Sequence, residues 1–240
     1  MGLILNGNAP SKILYNGAEV SLYFNGSKIW PETIDPYNPL NLPPNTVRVR
    51  TSDGNAPVKG QYTLYDTATL VSGTTDVYDV YKSGISFDNL FNSSTNIIEV
   101  LGANTTGITT MSGMFSTCSL LTSVLLFDTS NVTNMLNMFY GCSSLTSVPL
   151  FDTSNVTNMN NTFVECSSLT SIPLFNTSRV TNMNYMFFKC LNVQSGALAL
   201  YQQASSQATP PSRHQYTFYN CGKNTTTGAA ELAQIPSDWK

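Results

Sequence analysis

The chain reads as a mainly-β solenoid with short helices, built from 24-residue repeats and preceded by a small β-hairpin module and a β-rich cap. Three observations predict this. LTSVLLFDTSNVTNMLNMFYGCSS, LTSVPLFDTSNVTNMNNTFVECSS and LTSIPLFNTSRVTNMNYMFFKCLN follow one another without a gap from Leu121, and a fainter copy in the same register starts at Ile97. Units repeating at such a period bury their apolar faces only by stacking on neighbours. Inside each copy the apolar residues fall in fixed columns. Finally, only 10% of residues are charged, against roughly 25% in ordinary globular domains, and Asn, Thr and Ser fill the polar places, as hydrogen-bonded ladders require.

From the N-terminus, residues 1–30 carry Asn6-Gly7, Asn16-Gly17 and Asn25-Gly26. Asn-Gly between β-formers is a strong signal for a tight hairpin, because the turn needs positive φ at both central residues. The expected strands are Leu3–Leu5, Lys12–Tyr15, Glu19–Phe24 and Lys28–Trp30. A meander this small is not stable alone, so it is read as an attachment module. Residues 31–44 hold five prolines in fourteen residues and read as a semi-rigid linker. Residues 45–96 form a β-rich cap, with alternating strands at Thr46–Arg50, Gln61–Val71 and Asp76–Tyr81 and a helical turn at Ser86–Phe91.

Residues 97–191 hold four repeats. Each opens with a short strand of the type Leu145-x-x-Val148-x-Leu150, which Pro149 and Pro173 are expected to end. Asp152, Thr153 and Ser154 then offer acceptors to a helix N-terminus. Met135, Met138, Phe139 and Cys142, spaced i, i+3, i+4, i+7, predict one face of a short helix. The expected core ladder is Met111, Met135, Met159 and Met183; Phe115, Phe139, Phe163 and Phe187; and Cys118, Cys142, Cys166 and Cys190. In residues 192–240, Phe218–Cys221 matches Phe139–Cys142 and Leu232–Pro236 matches Leu169–Pro173, so a degenerate last rung and a C-terminal cap are expected. Gly196–Ala208 reads as a helix stopped by Pro210-Pro211.

The pattern L-x-x-V-P-L-F-D-T-S-N-V-T-N-M-x-x-M-F-x-x-C resembles the BspA-type leucine-rich repeat of bacterial surface proteins and of phage and prophage proteins. The likeness is strong over residues 97–190 and looser to 240, and Thr153 departs from the general leucine-rich consensus. The resemblance implies a right-handed solenoid that serves adhesion or recognition and carries no catalytic residues.

Function classes narrow accordingly. A net charge of −3 argues against nucleic acid and anionic membranes as partners. Neither a basic leader nor an apolar run of about 20 residues is visible. His214 is the only histidine, the cysteines lack zinc spacing, and phosphate-cradling motifs are absent. No enzyme, cofactor or metal is expected. Asp128 and Asp152 recur with the repeat, and Asn176 replaces the next, which suits turn capping better than glycan cleavage.

Columns that vary between copies are the places where function can sit. One residue after the core phenylalanine the copies read Ser116, Tyr140, Val164, Phe188. Leu136, Tyr140, Val164, Tyr185 and Phe188 are therefore the candidate interaction strip; burial under the chain's own tail is the competing reading. The expectation is a phage virion structural protein, a head or tail fibre or decoration component. Its N-terminal module would bind other virion proteins, its repeats would face a bacterial surface protein or glycan, and it would form a homo-oligomer. A bacterial surface adhesin and a purely architectural virion part are the alternatives.

Overall fold

The computed structural model describes residues 38, 40–60 and 63–240, and the backbone of residues 23–24 and 27–28. At the N-terminus β1 (Tyr23–Phe24) pairs antiparallel with β2 (Ser27–Lys28), Tyr23 opposite Lys28. The other strands expected within 1–30, and the linker at 31–37 and 39, lie outside the described residues.

The described chain is mainly β with few short helices. An open five-stranded sheet runs in the order β4 (Thr67–Leu70), β5 (Val77–Tyr81), β3 (Thr46–Thr51), β6 (Ile97–Asn104) and β7 (Ser123–Val124). Of the expected Gln61–Val71 strand, residues 61–62 lie outside the described residues, and Thr67–Leu70 is the part of the remainder that forms a strand. Val47, Val49 and Val80 point inward, while Arg48 clasps Asp79 at 2.6 and 2.7 Å and Arg50 reaches Glu99 at 2.6 Å on the outer face. Strand β6 is the hinge of the architecture. It pairs antiparallel with β3 on one side and parallel with β7, one lap onward, on the other.

Beyond β6 the chain returns every 24 residues to lay equivalent positions side by side. Parallel bridges run Ser86–Thr110–Asn134–Asn158–Asn182–Arg213. The stack therefore starts one lap before Ile97, with Phe87, Leu90 and Phe91 in the places of Met111, Met114 and Phe115. The 24-residue motif hides this lap because Phe87 and Ser94 stand where later copies have Met and Cys. At the far end, an insertion carries Arg213 31 residues past Asn182, so Phe218 and Cys221 do complete a last lap.

The Met/Phe/Cys segment is not a helix. In each lap alternate N–H groups leave the segment: those of Met135, Asn137, Phe139 and Gly141 donate to the carbonyls of Asn158, Asn160, Thr162 and Val164 in the next lap, at 2.7–3.1 Å. The intervening Met138, Tyr140 and Cys142 N–H groups close turns onto Met135, Asn137 and Phe139, each at 3.1 Å. Residues 137 and 141 are left-handed, with φ of 57° and 69°, which a right-handed helix excludes. The spacing i, i+3, i+4, i+7 arises here from a string of tight turns. Asp152 accordingly caps a turn, accepting the Ser154 N–H at 2.9 Å, and starts no helix. Ser86–Phe91 is likewise a run of turns in the same register.

Proline thins the strand column as its chemistry demands. The Leu125 N–H donates to the Val100 carbonyl at 3.0 Å; its successors Pro149 and Pro173 have no N–H to give. The Thr146 N–H still donates to the Thr122 carbonyl and the Thr170 N–H to that of Thr146, and the Ile172 N–H reaches on to the Ser195 carbonyl at 3.0 Å.

Two real helices close the far end, α1 (Ala197–Ser205) and α2 (Thr226–Gln234). Leu232 therefore lies in α2, and the expected match of Leu232–Pro236 to a repeat strand does not hold. Gly196 enters α1 at φ 99°, and a Cβ there would collide with the Ile172 carbonyl. Glu231 of α2 accepts the Leu198 N–H at 3.1 Å, satisfying a first-turn donor of α1. The final turn, Ser237–Trp239, takes the place of a further lap: the Trp239 carbonyl accepts the Phe218 N–H at 2.9 Å.

The core is a column of rings. Phe91, Phe115, Phe139, Phe163, Phe187 and Phe218 stack in turn with centroids 5.5, 5.4, 5.5, 5.1 and 6.0 Å apart. All six are buried, as are Met111, Met135, Met159 and Met183. Phe127, Phe151 and Phe175 form a second column, with Phe163 and Phe175 5.8 Å apart. Phe163 touches both columns at mid-stack, so Phe163→Ala should cost roughly 3–5 kcal/mol, read as a drop in urea midpoint.

Candidate functional site

The polar columns are consumed by the fold. Thr133, Thr157 and Thr181 hydroxyls donate to the carbonyls of Thr109, Thr133 and Thr157 at 3.1–3.2 Å, one lap back. Buried Thr129 and Thr153 donate forward to Asp152 and Asn176 carbonyls at 2.9 and 2.8 Å. Asn134, Asn158 and Asn182 side chains accept the N–H two residues on, at 3.0–3.1 Å. Asp128, like Asp152, closes a turn, onto the Ser130 N–H at 2.8 Å. The Ser154 side chain and its N–H hold the Asp152 carboxyl below its ordinary range, so this group stays ionised and is no proton donor at neutral pH.

The cysteines are equally committed. Cys118, Cys142, Cys166 and Cys190 are buried free thiols, each donating to a phenylalanine carbonyl of the previous lap at 3.0–3.1 Å. Burial pushes Cys118 up to about 12 and the other four thiols upward as well. His214 sits where earlier laps hold Met, stacked on Trp239 at 4.3 Å, with Nδ1 2.9 Å from the Pro211 carbonyl and Nε2 3.3 Å from Asp238. Among the described residues no three His, Cys, Asp or Glu side chains gather as a metal site.

The expected interaction strip divides. Val164 is only 5% exposed and belongs to the interior edge. Leu136 and Tyr140 are half-buried. Tyr185 and Phe188, however, join two residues that the strip omits, Tyr216 and Tyr219 of the last lap. Tyr185 stacks on Tyr216 and Phe188 on Tyr219, both at 5.1 Å, with edge contacts of 5.6 and 5.9 Å across the pairs. The result is a two-by-two tile of rings on the surface, with Tyr185, Tyr216 and Tyr219 exposed by 36, 43 and 39%. The match of Phe218–Cys221 to Phe139–Cys142 places Tyr219 in the column of Tyr140 and Phe188 and, carried two residues back, Tyr216 under Tyr185.

The tile is costly for the backbone. In its column Asn89, Gly113, Asn137 and Asn161 take left-handed φ of 54–63°, which Asn and Gly adopt readily. Tyr185 and Tyr216 hold the same conformation at 57° and 56°. A bulky residue there costs about 1–2 kcal/mol, offset by aromatic stacking of about 0.5–1.5 kcal/mol. The fold accepts these tyrosines without needing them.

Two measurements check this account. Thiols buried neutral stabilise the fold below their unfolded value near 9.0, and this contribution is lost as pH rises from there towards about 12; the urea midpoint should fall over that window, and iodoacetamide should label the cysteines only after unfolding. Tyr216→Asn, which installs the residue of earlier laps, should shift stability by no more than about 1 kcal/mol in the same urea titration.

No curated protein and no solved structure matches the chain. Residues 85–201 match the family model described as "Mycoplasma protein of unknown function, DUF285". The match begins beside Ser86, where the parallel bridges start, and ends within α1, so the likeness to that family is carried by the stacked laps.

Proposed function

We propose that the protein is a non-enzymatic recognition module: a right-handed solenoid of the BspA-type leucine-rich-repeat kind that holds an aromatic patch towards a bacterial surface. The observation that carries this reading is the tile itself. Four rings gather at the surface, two of them on strained backbone, where the other copies of the repeat do without. Exposed clustered aromatics mark interfaces, and strain retained at a surface points to function. The carboxylates, thiols and histidine, engaged in capping and core packing, support a role without catalysis.

The reading extends to placement. The module is a phage virion component, of head or tail, joined to other virion proteins through its N-terminal hairpins, and it acts as a homo-oligomer. Self-association is supported by a second apolar row, Leu126, Leu150 and Leu174, exposed by 37, 59 and 52%. A surface adhesin of the bacterium itself is the second reading, favoured by the cellular family that residues 85–201 match. Among the described residues no helix is long and apolar enough to cross a membrane. Peptide mapping of purified particles against washed envelopes separates the two: recovery of this chain in envelopes alone would sink the virion placement.

Recognition itself is tested by sedimenting the purified chain with bacterial cells of the strain that carries the gene or that its phage infects. Tyr216→Asn with Tyr219→Ser should weaken cell binding at least tenfold, since aromatic hot spots dominate such contacts. No binding by the unaltered chain would overturn the recognition reading.

A further inference from the structure

We propose that the tile formed by Tyr185, Phe188, Tyr216 and Tyr219 is a subsite for a neutral, hydroxyl-rich saccharide; this rests on the recognition reading above and names its ligand class. The geometry points first to a ligand that stacks. Within the tile the ring faces of Tyr185 and Phe188 are covered by Tyr216 and Tyr219. Among the described residues no ring stacks beyond Tyr216 or Tyr219, because the last turn covers Phe218 and His214 with Trp239 and not these two. Their outer faces form an open end to two aromatic columns, where the next lap would lie. A flat, C–H-lined face of a sugar ring continues such a column as another aromatic ring would.

Charge decides between ligand classes. The cation placed over the tile, Lys189, lies 5.1 Å from the Phe188 ring centroid and is paired with Glu165 at 3.2 Å. The four rings carry no charge of their own and the one cation over them is paired, which disfavours nucleic acid and acidic polymers, ligands that need a basic footprint. Nor does it resemble a lipid-binding face, since three of its four rings end in hydroxyls. The exposed amide of Gln215, next to Tyr216, adds a donor and an acceptor beside the rings. Apolar faces bordered by hydroxyl and amide groups match the two sides of a sugar, its C–H face and its equatorial hydroxyls.

The test is native electrophoresis of the full chain in gels containing dextran, mannan, galactomannan or mixed-linkage β-glucan, with alginate as the charged comparison. At least one neutral polymer should retard the chain, and Tyr216→Asn with Tyr219→Ser should abolish the retardation while Tyr81→Ala, an exposed tyrosine of β5 outside the tile, keeps it. No retardation by any neutral polymer, retardation by alginate alone, or equal retardation of the double variant would overturn the inference. Cell binding tells its failure from that of recognition. If the chain binds cells through Tyr216 and Tyr219, but protease treatment of the cells destroys binding and periodate does not, the partner is a protein and only the saccharide assignment falls. Urea unfolding of each variant confirms that the lost retardation is not lost folding.

Discussion

Backbone hydrogen bonding between laps is the constraint on which the rest of the molecule depends. Every second N–H from Met135 to Gly141 must find the carbonyl 23 residues ahead. A lap of another length leaves these donors unpaired, at about 1–3 kcal/mol each, unless the extra residues loop out as α1 does in the last lap, where the Met183, Tyr185, Phe187 and Lys189 N–H groups still find their carbonyls. That requirement fixes the 24-residue period, and the period in turn fixes the side-chain columns. Once Phe139 is inward, Phe115 and Phe163 have no choice but to lie on either side of it.

Low charge follows from the same geometry. In a column, each residue meets its own kind above and below at about 4.8 Å, so a charged column would repel itself along its whole length. Threonine has no such penalty: the Thr133, Thr157 and Thr181 hydroxyls each donate a hydrogen bond to the threonine carbonyl of the lap behind. Cysteine does the same inside the core, where its thiol is the second donor to a phenylalanine carbonyl that already accepts a turn N–H: the Phe139 carbonyl takes both the Cys142 N–H and the Cys166 thiol. Where opposite charges do enter a column, as Glu165 and Lys189, they alternate and pair. The cap follows a different rule, with Arg48 and Asp79 facing each other across antiparallel strands.

Much of this was legible in the sequence, for a physical reason: columns repeat, and repetition survives without any knowledge of the backbone. The Met, Phe and Cys identities at 24-residue spacing mark the interior directly. What stood hidden was backbone conformation. A string of turns with left-handed residues at 137 and 141 places apolar side chains at the same intervals as a helix, and only the Asn or Gly at the first of these positions in lap after lap hints at the difference. The first lap was masked because Phe87 and Ser94 preserve burial while changing identity. The last lap is legible in the match of Phe218–Cys221 to Phe139–Cys142, but the inserted α1 breaks the 24-residue spacing that would pair Tyr216 and Tyr219 with Tyr185 and Phe188. Half of the candidate site lay in that displaced lap.

Internal repetition also supplies a control that a single-copy domain lacks. Each column shows what its position requires, since Asn89, Gly113, Asn137 and Asn161 answer the same backbone demand four times over. Tyr185 and Tyr216 answer it at a cost that their stacking on each other offsets. Stacking within the pair recovers part of the left-handed cost, yet Asn would avoid that cost altogether. The recognition proposed above supplies a demand that local backbone energetics do not. Core columns converge because packing has one answer, and the tile diverges because the lap structure asks nothing of it.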